Sequence, residues 1–494
     1  MAQFDDFPAE IVCGVISQIS YHTSTHSGKA SREGMAQIMA ANKKRCSTLV
    51  DLCLTSKKIR TLTEPYLYQY FGINQVTDKE WSDAQQQSLQ RFLLTIILRP
   101  ELANHIKCIE ACNWRIRRPP GHANLLVGPD EELFNQVAEG FDMLKYGDWS
   151  AHLKAGSTDP LIALLLMLAP NLQSISFIIP EGSWWPRDVI GRTISGPLPA
   201  NSHNFAHLQH ITYAGSTDKQ FFNFHEVLPF FRLPSMQRVF TIGCRDPHGP
   251  GGLEKGRKRI YYPLMRAGES NITDIRLQSS EFKPRIIEGM VRSCHALESF
   301  SVSYDLSYEY TLHGDSHSHD HTKRSHALAV LDPPALGKAL SSAKHSLRIL
   351  KVYVEDFICY QGFRGLHGAP QINSIGSLQG FERLSMLEIG VVMLLGNAAR
   401  SAPMLVDILP SSLEMLHLRD DNNIVYCDWD MEGIVTHLVA LAVDGLARFP
   451  RLRSVDLSKL GVCGCQQCQV DQEDERARLE MAFKGTGIGL VGWW

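Results

Sequence analysis

The densest set of side chains able to do chemistry is Cys463-Gly464-Cys465-Gln466-Gln467-Cys468. Its two spacings are close to those of zinc ligands, but a structural zinc takes four donors. No fourth partner stands nearby, so zinc and free thiols are both open, with free thiols favoured. A second set, His313, His317, His319, His321 and His326 with Asp315 and Asp320, combines imidazoles and carboxylates that can take a divalent cation. Its Ser, Gly and Asp content reads instead as a loop, and a structural site needs ligands held by a surrounding shell. Neither set is assigned a metal. No glycine loop is followed by Lys-Ser/Thr: Gly249-Pro250-Gly251-Gly252 reads as a turn leading to a basic loop at Lys255, Arg257, Lys258 and Arg259. With no nucleophile elbow and no paired carboxylates, the chain is expected to be non-catalytic and to carry no cofactor.

Bulk properties exclude two partner classes. The 494 residues have a formal net charge of -3 and a pI near 6.7, which gives no general attraction to nucleic acid or to an anionic membrane. Met1-Ala2-Gln3-Phe4-Asp5-Asp6 is acidic and leads into no apolar h-region, so no secretory signal is expected. The most apolar stretch, Leu161 to Ala169, lies between Pro160 and Pro170 and is far too short to span a bilayer. Twelve cysteines are scattered along the chain rather than set in a dense framework, which suits reduced thiols. A cytoplasmic or nuclear protein is expected.

The elements that would position any site recur along the chain. Apolar, two residues, apolar, one residue and a usually apolar sixth position begin at Leu172, Leu208, Met236, Ile272, Leu297, Leu347, Leu384, Leu413 and Leu452. Ile272-Thr273-Asp274-Ile275-Arg276-Leu277 and Leu413-Glu414-Met415-Leu416-His417-Leu418 are clear instances. A weaker strand is expected at Ile106-Lys107-Cys108-Ile109. The pattern resembles the strand signature of a leucine-rich repeat, whose alternating inward residues feed a shared core. Helix-like stretches lie between: Glu131 to Lys145, Leu161 to Leu168, Phe221 to Phe230, Arg285 to Cys294, Ala335 to Ala343 and Met431 to Phe449. An irregular solenoid with a parallel sheet follows, and a non-repeat α/β layer is the alternative. The ninth position holds Pro180, Ser216, Cys244, Ser280, Asp305, Glu355, Val392, Asp421 and Leu460 instead of the asparagine of regular repeats. Asp471 to Met481 reads as a solvated helix, and Trp493 and Trp494 as packing on the last repeat.

A helical module is expected ahead of the array. Pro8 suits the first turn of a helix, Glu10 complements the positive end of its dipole, and Ile11, Val12, Val15, Ile16 and Ile19 follow at helical spacing. Leu49, Leu52, Cys53, Ile59 and Leu62 do the same for a second stretch. Two short amphipathic helices make little core, so part of their apolar surface should face a partner. Phe7-Pro8-Ala9-Glu10-Ile11-Val12 and Leu49 to Arg60, closed by Glu64-Pro65-Tyr66-Leu67-Tyr68, resemble an F-box. Residues from about 20 to 47 exceed the family's usual connection and read as a polar insertion in which Met35, Ile38 and Met39 allow a helical turn. Phe92 to Ala103 resembles the joint between F-box and repeats in many fungal F-box proteins.

The fold class is thus α/β: a helical F-box followed by an irregular leucine-rich-repeat horseshoe with parallel strands. The divisions are 1–70 for the module, 71–130 for connecting helices and a first irregular repeat, 131–462 for the array, and 463–494 for a C-terminal cap. The resemblance implies a substrate receptor of an SCF-type cullin-RING ubiquitin ligase. Its Skp-type adaptor would be met by Pro8, Glu10, Ile11, Val12, Val15, Leu52 and Leu54. The substrate, an unidentified protein, would be met by the concave face. There the residue between the last two apolar positions points outward, giving Ser176, Thr212, Phe240, Arg276, Ser301, Lys351, Glu388, His417 and Asp456. Phe240, Arg276, Lys351, Glu388, His417 and Asp456 are the candidate substrate contacts. A repeat scaffold without a ligase role is the rival reading.

Overall fold

The computed structural model describes residues 7–19, 32–73, 83–112, 114, 116, 129–143, 149–195, 203–215, 221–245, 265–304, 332–354, 372–397, 402–419, 431–460 and 466–492. The chain divides into two compact units, Met1–Ile242 and Gly243–Trp494. In the first, strands β1 (Tyr70–Ile73), β2 (Cys108–Cys112), β3 (Ser174–Ile179), β4 (His210–Gly215) and β5 (Arg238–Ile242) lie parallel and in sequence order. In the second, β6 (Asp274–Ser280), β7 (Ser299–Tyr304), β8 (Ile349–Val354), β9 (Met386–Gly390), β10 (Met415–Arg419), β11 (Ser454–Lys459) and β12 (Gly489–Val491) do the same. Strands that pair only with their sequence neighbours make a solenoid, whereas a doubly wound layer reverses order at a crossover. The non-repeat layer is therefore excluded.

Each of the nine repeated patterns becomes one strand that starts two residues after its first apolar position, from Leu172 and Ser174 through Leu452 and Ser454. The first, fourth and sixth positions turn to one side and stack. Leu208, Ile211 and Tyr213 in the first unit, and Leu384, Leu387 and Ile389 in the second, are all buried. Register is set at the strand start. The carbonyl of Gln173 accepts from the N–H groups of both Gln209 (2.9 Å) and His210 (3.1 Å), and that of Arg348 from Ser385 (2.9 Å) and Met386 (3.0 Å). In place of the missing asparagines, a serine just before the first apolar position donates to the carbonyl at that position one repeat earlier: Ser235 to Leu208 (2.8 Å), Ser346 to Leu297 (2.8 Å) and Ser412 to Leu384 (2.9 Å).

Helices at Pro129–Gly140, Asp159–Leu168, Pro284–Ser293, Pro333–Leu340 and Met431–Arg448 lie where expected. Asp159–Leu168 is apolar nearly all round and buried along its length up to Met167. Asp159 accepts hydrogen bonds from Trp114 Nε1 (2.6 Å), Ser183 Oγ (2.6 Å) and the N–H groups of Trp184 and Trp185 (2.9 Å each), tying three segments together. The polar stretch Asp471 to Met481 lies in a helix, Gln466–Phe483.

Three regions differ from expectation. Phe221 to Phe230 is not one helix but a two-residue strand, Phe222–Asn223, followed by 3-10 turns at Phe224–Glu226 and Leu228–Arg232. Phe221, Phe222, Phe224, Phe230 and Phe231 are all buried, which no single helix face allows, and Pro229 lacks the N–H to continue a turn. The described part of the polar insertion is helical: a 22-residue helix runs from Arg32 to Cys53, continuous with the leucine-containing stretch. Strands β1 and β12 extend the sheets at positions not read as strands.

Candidate functional site

Helices α1 (Ala9–Gln18), α2 (Arg32–Cys53) and α3 (Lys57–Leu67) share a small core of Val12, Ile16, Leu49 and Ile59, with Leu52, Leu62 and Tyr66 packed against it. Pro8 caps α1 rather than entering its first turn: φ is -54° and ψ 144°, and its carbonyl accepts from Ile11 and Val12 N–H at 3.1 and 3.2 Å. Ser56 caps α3, its hydroxyl accepting from Ile59 N–H at 3.1 Å. Val12 and Ile16, four apart, take the inner side of α1, while Ile11 and Val15 take the outer. Val12 is corrected from adaptor contact to core residue for that reason. Leu52 is half-buried, and Pro8 and Glu10 are exposed. Phe7 is 40% exposed, Ile11 53%, Val15 46%, Val50 43% and Leu54 80%. So much uncovered apolar side chain on a three-helix module is what a docking surface requires.

The module is joined closely to the first sheet. Arg99, at the end of α4 (Asp83–Leu98), donates to both oxygens of Glu64 at 2.8 and 3.0 Å and holds that carboxyl below its ordinary range. Phe92 of α4 packs against Tyr68 and Phe71, with ring centroids 5.8 and 4.3 Å apart.

On the face opposite the core, the first unit aligns Gly72, Glu110, Ser176, Thr212 and Phe240 across β1 to β5. Glu110, Ser176 and Thr212 are buried. Phe240 is half-buried against an apolar row of Cys112, Ile178, Ala214 and Ile242, so it is in large part packing. The Tyr70 ring passes over Gly72 to donate its hydroxyl to Glu110 at 2.6 Å; a Cβ on Gly72 would lie 2.1 Å from that oxygen. Asn42 of α2, also buried, bonds the same carboxyl. Burial pushes Glu110 up to about 7 against both hydrogen bonds. Tyr70 also lines a surface pocket of about 430 Å³, together with Lys43, Cys46, Tyr68, Phe71 and Phe92, among others. Glu110 went unnoticed in the sequence although it is the one acid in the buried strand Cys108–Cys112.

The second unit keeps its stripe polar. Arg276, Ser301, Lys351, Glu388, His417 and Asp456 are register partners in that order across β6 to β11. Glu388 is at the centre, its side chain only 5% exposed, with Lys351 Nζ on one oxygen at 2.9 Å and both Arg419 Nη1 and Lys459 Nζ on the other at 2.8 Å. Burial opposes its charge, but bonds from Lys459, Lys351 and Arg419 prevail and hold the carboxyl down at about 2. The Arg419 guanidinium lies 3.6 Å from the Tyr353 ring centre. His417 Nδ1 is 3.6 Å from Asp456, and Arg276 bonds Asp274 two residues away at 2.8 and 3.2 Å.

The sequence reading missed Tyr353, Arg419 and Lys459. Alternation puts Tyr353 and Arg419 on the same face, two residues beyond the stripe. Lys459 has no such signal: Asp456 pairs with His417 but Lys459 with Arg419, so one extra residue bulges in β11 and turns the lysine onto this face.

Among the described residues, no group of three His, Cys, Asp or Glu side chains could hold a metal ion, and no helix is long and apolar enough to cross a membrane. The tract His313 to His326, Cys463, Cys465, the basic loop Lys255 to Arg259, Trp493 and Trp494 lie outside the described residues, and Cys468 is placed only as backbone in the last helix.

The chain matches no curated protein. A family model, that of the leucine-rich repeat domain, matches residues 132–455, a span that contains all nine patterned strand starts. With each pattern forming one strand of a sequentially ordered parallel sheet, the chain belongs to the leucine-rich repeat family.

Proposed function

We propose that this chain is a non-catalytic substrate receptor of an SCF-type cullin-RING ubiquitin ligase, acting in the cytoplasm or nucleus. One observation carries the reading: the N-terminal helices form a core of their own yet leave Phe7, Ile11, Val15, Val50 and Leu54 uncovered. An adaptor of the Skp type would cover them, and the array would hold a protein substrate on its polar stripe. The chemistry is proximity, raising the local concentration of substrate lysines at the conjugating enzyme. Neither nucleic acid nor membrane is a partner in this reading.

A second reading has its own support. Repeat arrays need a polar cap at each end, and α2 places Asn42 on Glu110 of β2 while Arg99 ties α3 to α4. Helices integrated this closely could serve as the cap of a scaffold with no ligase role. Co-purification of the full chain with a Skp-type adaptor separates the two. The receptor reading expects capture by the parent chain and loss of capture in Ile11→Asp/Leu54→Asp, with unchanged melting because both side chains are exposed. Failure of the folded parent chain to capture the adaptor leaves the scaffold reading.

A further inference from the structure

We infer that the three cations gathered on Glu388 form the docking point for a phosphorylated side chain of a partner polypeptide. The inference rests on the reading that the stripe captures a protein; it does not depend on the adaptor. Lys351, Arg419 and Lys459 all reach one carboxylate within 2.9 Å. Three positive charges on one negative leave an excess of two, the charge of a phosphomonoester dianion. Asp456 accepts from Ser458 N–H at 2.8 Å and faces His417, and Lys459 acts on it only through space, with its direct bond going to Glu388.

Glu388 also removes the main cost of such a site. Lysine and arginine side chains lose much rotamer freedom when they clasp an anion. Here a nearly buried carboxylate has already drawn the three together, and Tyr353 underlies the guanidinium. Each ammonium carries three donors and gives one bond to Glu388, and the guanidinium has five donors in a fork suited to phosphate. The Lys459 side chain is 52% exposed and that of Lys351 33%, so the cations remain open to an incoming group.

The dimensions favour a peptide over a free ion. From β6 to β11 the stripe crosses five strand spacings, about 24 Å, the length of about seven extended residues. Overall charge of -3 gives no pull on a long polyanion.

The test immobilises the full chain and offers three degenerate heptapeptide pools that differ only at the central residue: phosphoserine, serine or glutamate. The phosphoserine pool should be retained at least tenfold over serine, and Lys351→Ala/Lys459→Ala should abolish the excess. Lys459→Gln, at a half-exposed side chain, should lower the excess severalfold and serves if the double variant melts early. Glu388→Gln adds positive charge yet should weaken retention, because it releases the anchored cations. Ile11→Asp/Leu54→Asp should retain the pool as the parent does, which keeps failure of the adaptor reading separate. Equal retention of phosphoserine and serine overturns the inference, as does an excess that survives Lys459→Gln. Retention of glutamate equal to phosphoserine makes the site one for carboxylates, and stronger binding by Glu388→Gln reduces it to diffuse attraction; either overturns it.

Discussion

Replacing Glu110 with glutamine should make the protein more stable above neutral pH while changing little in acid. Burial lifts this carboxyl from an ordinary 4.5 to about 7. Keeping it ionised in the fold therefore costs about 3 kcal/mol. The sign follows from the direction. A folded-state pKa above the unfolded one favours the native state while both are protonated, so the contribution is complete below pH 4.5 and is lost as the pH rises through about 7. Glutamine never ionises and can still accept from Tyr70 Oη, which lies 2.6 Å from the carboxyl. Any fixed cost of refitting its amide against Asn42 is common to all pH values and cancels. The quantity to measure is the stability difference between Glu110→Gln and the parent in urea, at pH 4 and at pH 8, followed by the fluorescence of buried Trp114, Trp149 and Trp185. It should move in favour of the variant by about 3 kcal/mol between the two. A difference independent of pH, or one that moves against the variant, would refute the account of Glu110 as a carboxyl strained by burial.

Two further substitutions probe the packing. Gly72→Ala places a methyl 2.1 Å from Tyr70 Oη and should cost about 3 kcal/mol; Tyr70→Ala in the same chain should recover part of it, and additivity in a double-mutant cycle would show that the two do not meet. Val12→Ala should destabilise the N-terminal helices by about 2 kcal/mol while Ile11→Ala stays within about 0.5, a contrast readable by hydrogen exchange of α1; equal effects would contradict the inner and outer faces assigned to that helix.

The repeat strands were legible because three buried positions in six residues recur nine times, so a single pattern fixes both the strand and its inward face. β1 obeys the same spacing, with Tyr68, Phe71 and Ile73, but its aromatic first position directly follows a helix and does not stand out as a repeat. β12 has glycine at 487 and 492, where other strands carry core side chains, and is recognisable only through Leu490 beside Val455. The candidate stripe was legible for a related reason: alternation aligns Lys351, Glu388 and His417 once the apolar positions are known. What lay beyond reach was the third dimension of the site. Lys459 arrives through a bulge, and the convergence of three cations on one carboxylate depends on side-chain reach across four strands. The long helix α2 was obscured because its polar surface hides one buried asparagine whose partner lies 68 positions away, at Glu110.

Alignment in both sheets is decided where strands begin, by shared carbonyls and by serines such as Ser346 and Ser412. The stretches 305–331 and 355–371 both depart directly from the C-terminal ends of β7 and β8. Length added there leaves the next strand start to be located by the same few hydrogen bonds. Descendants of this chain could therefore lengthen, shorten or replace the sequence that follows these strands without compensating changes in the strands themselves, and acquire new partners while inheriting an unaltered frame.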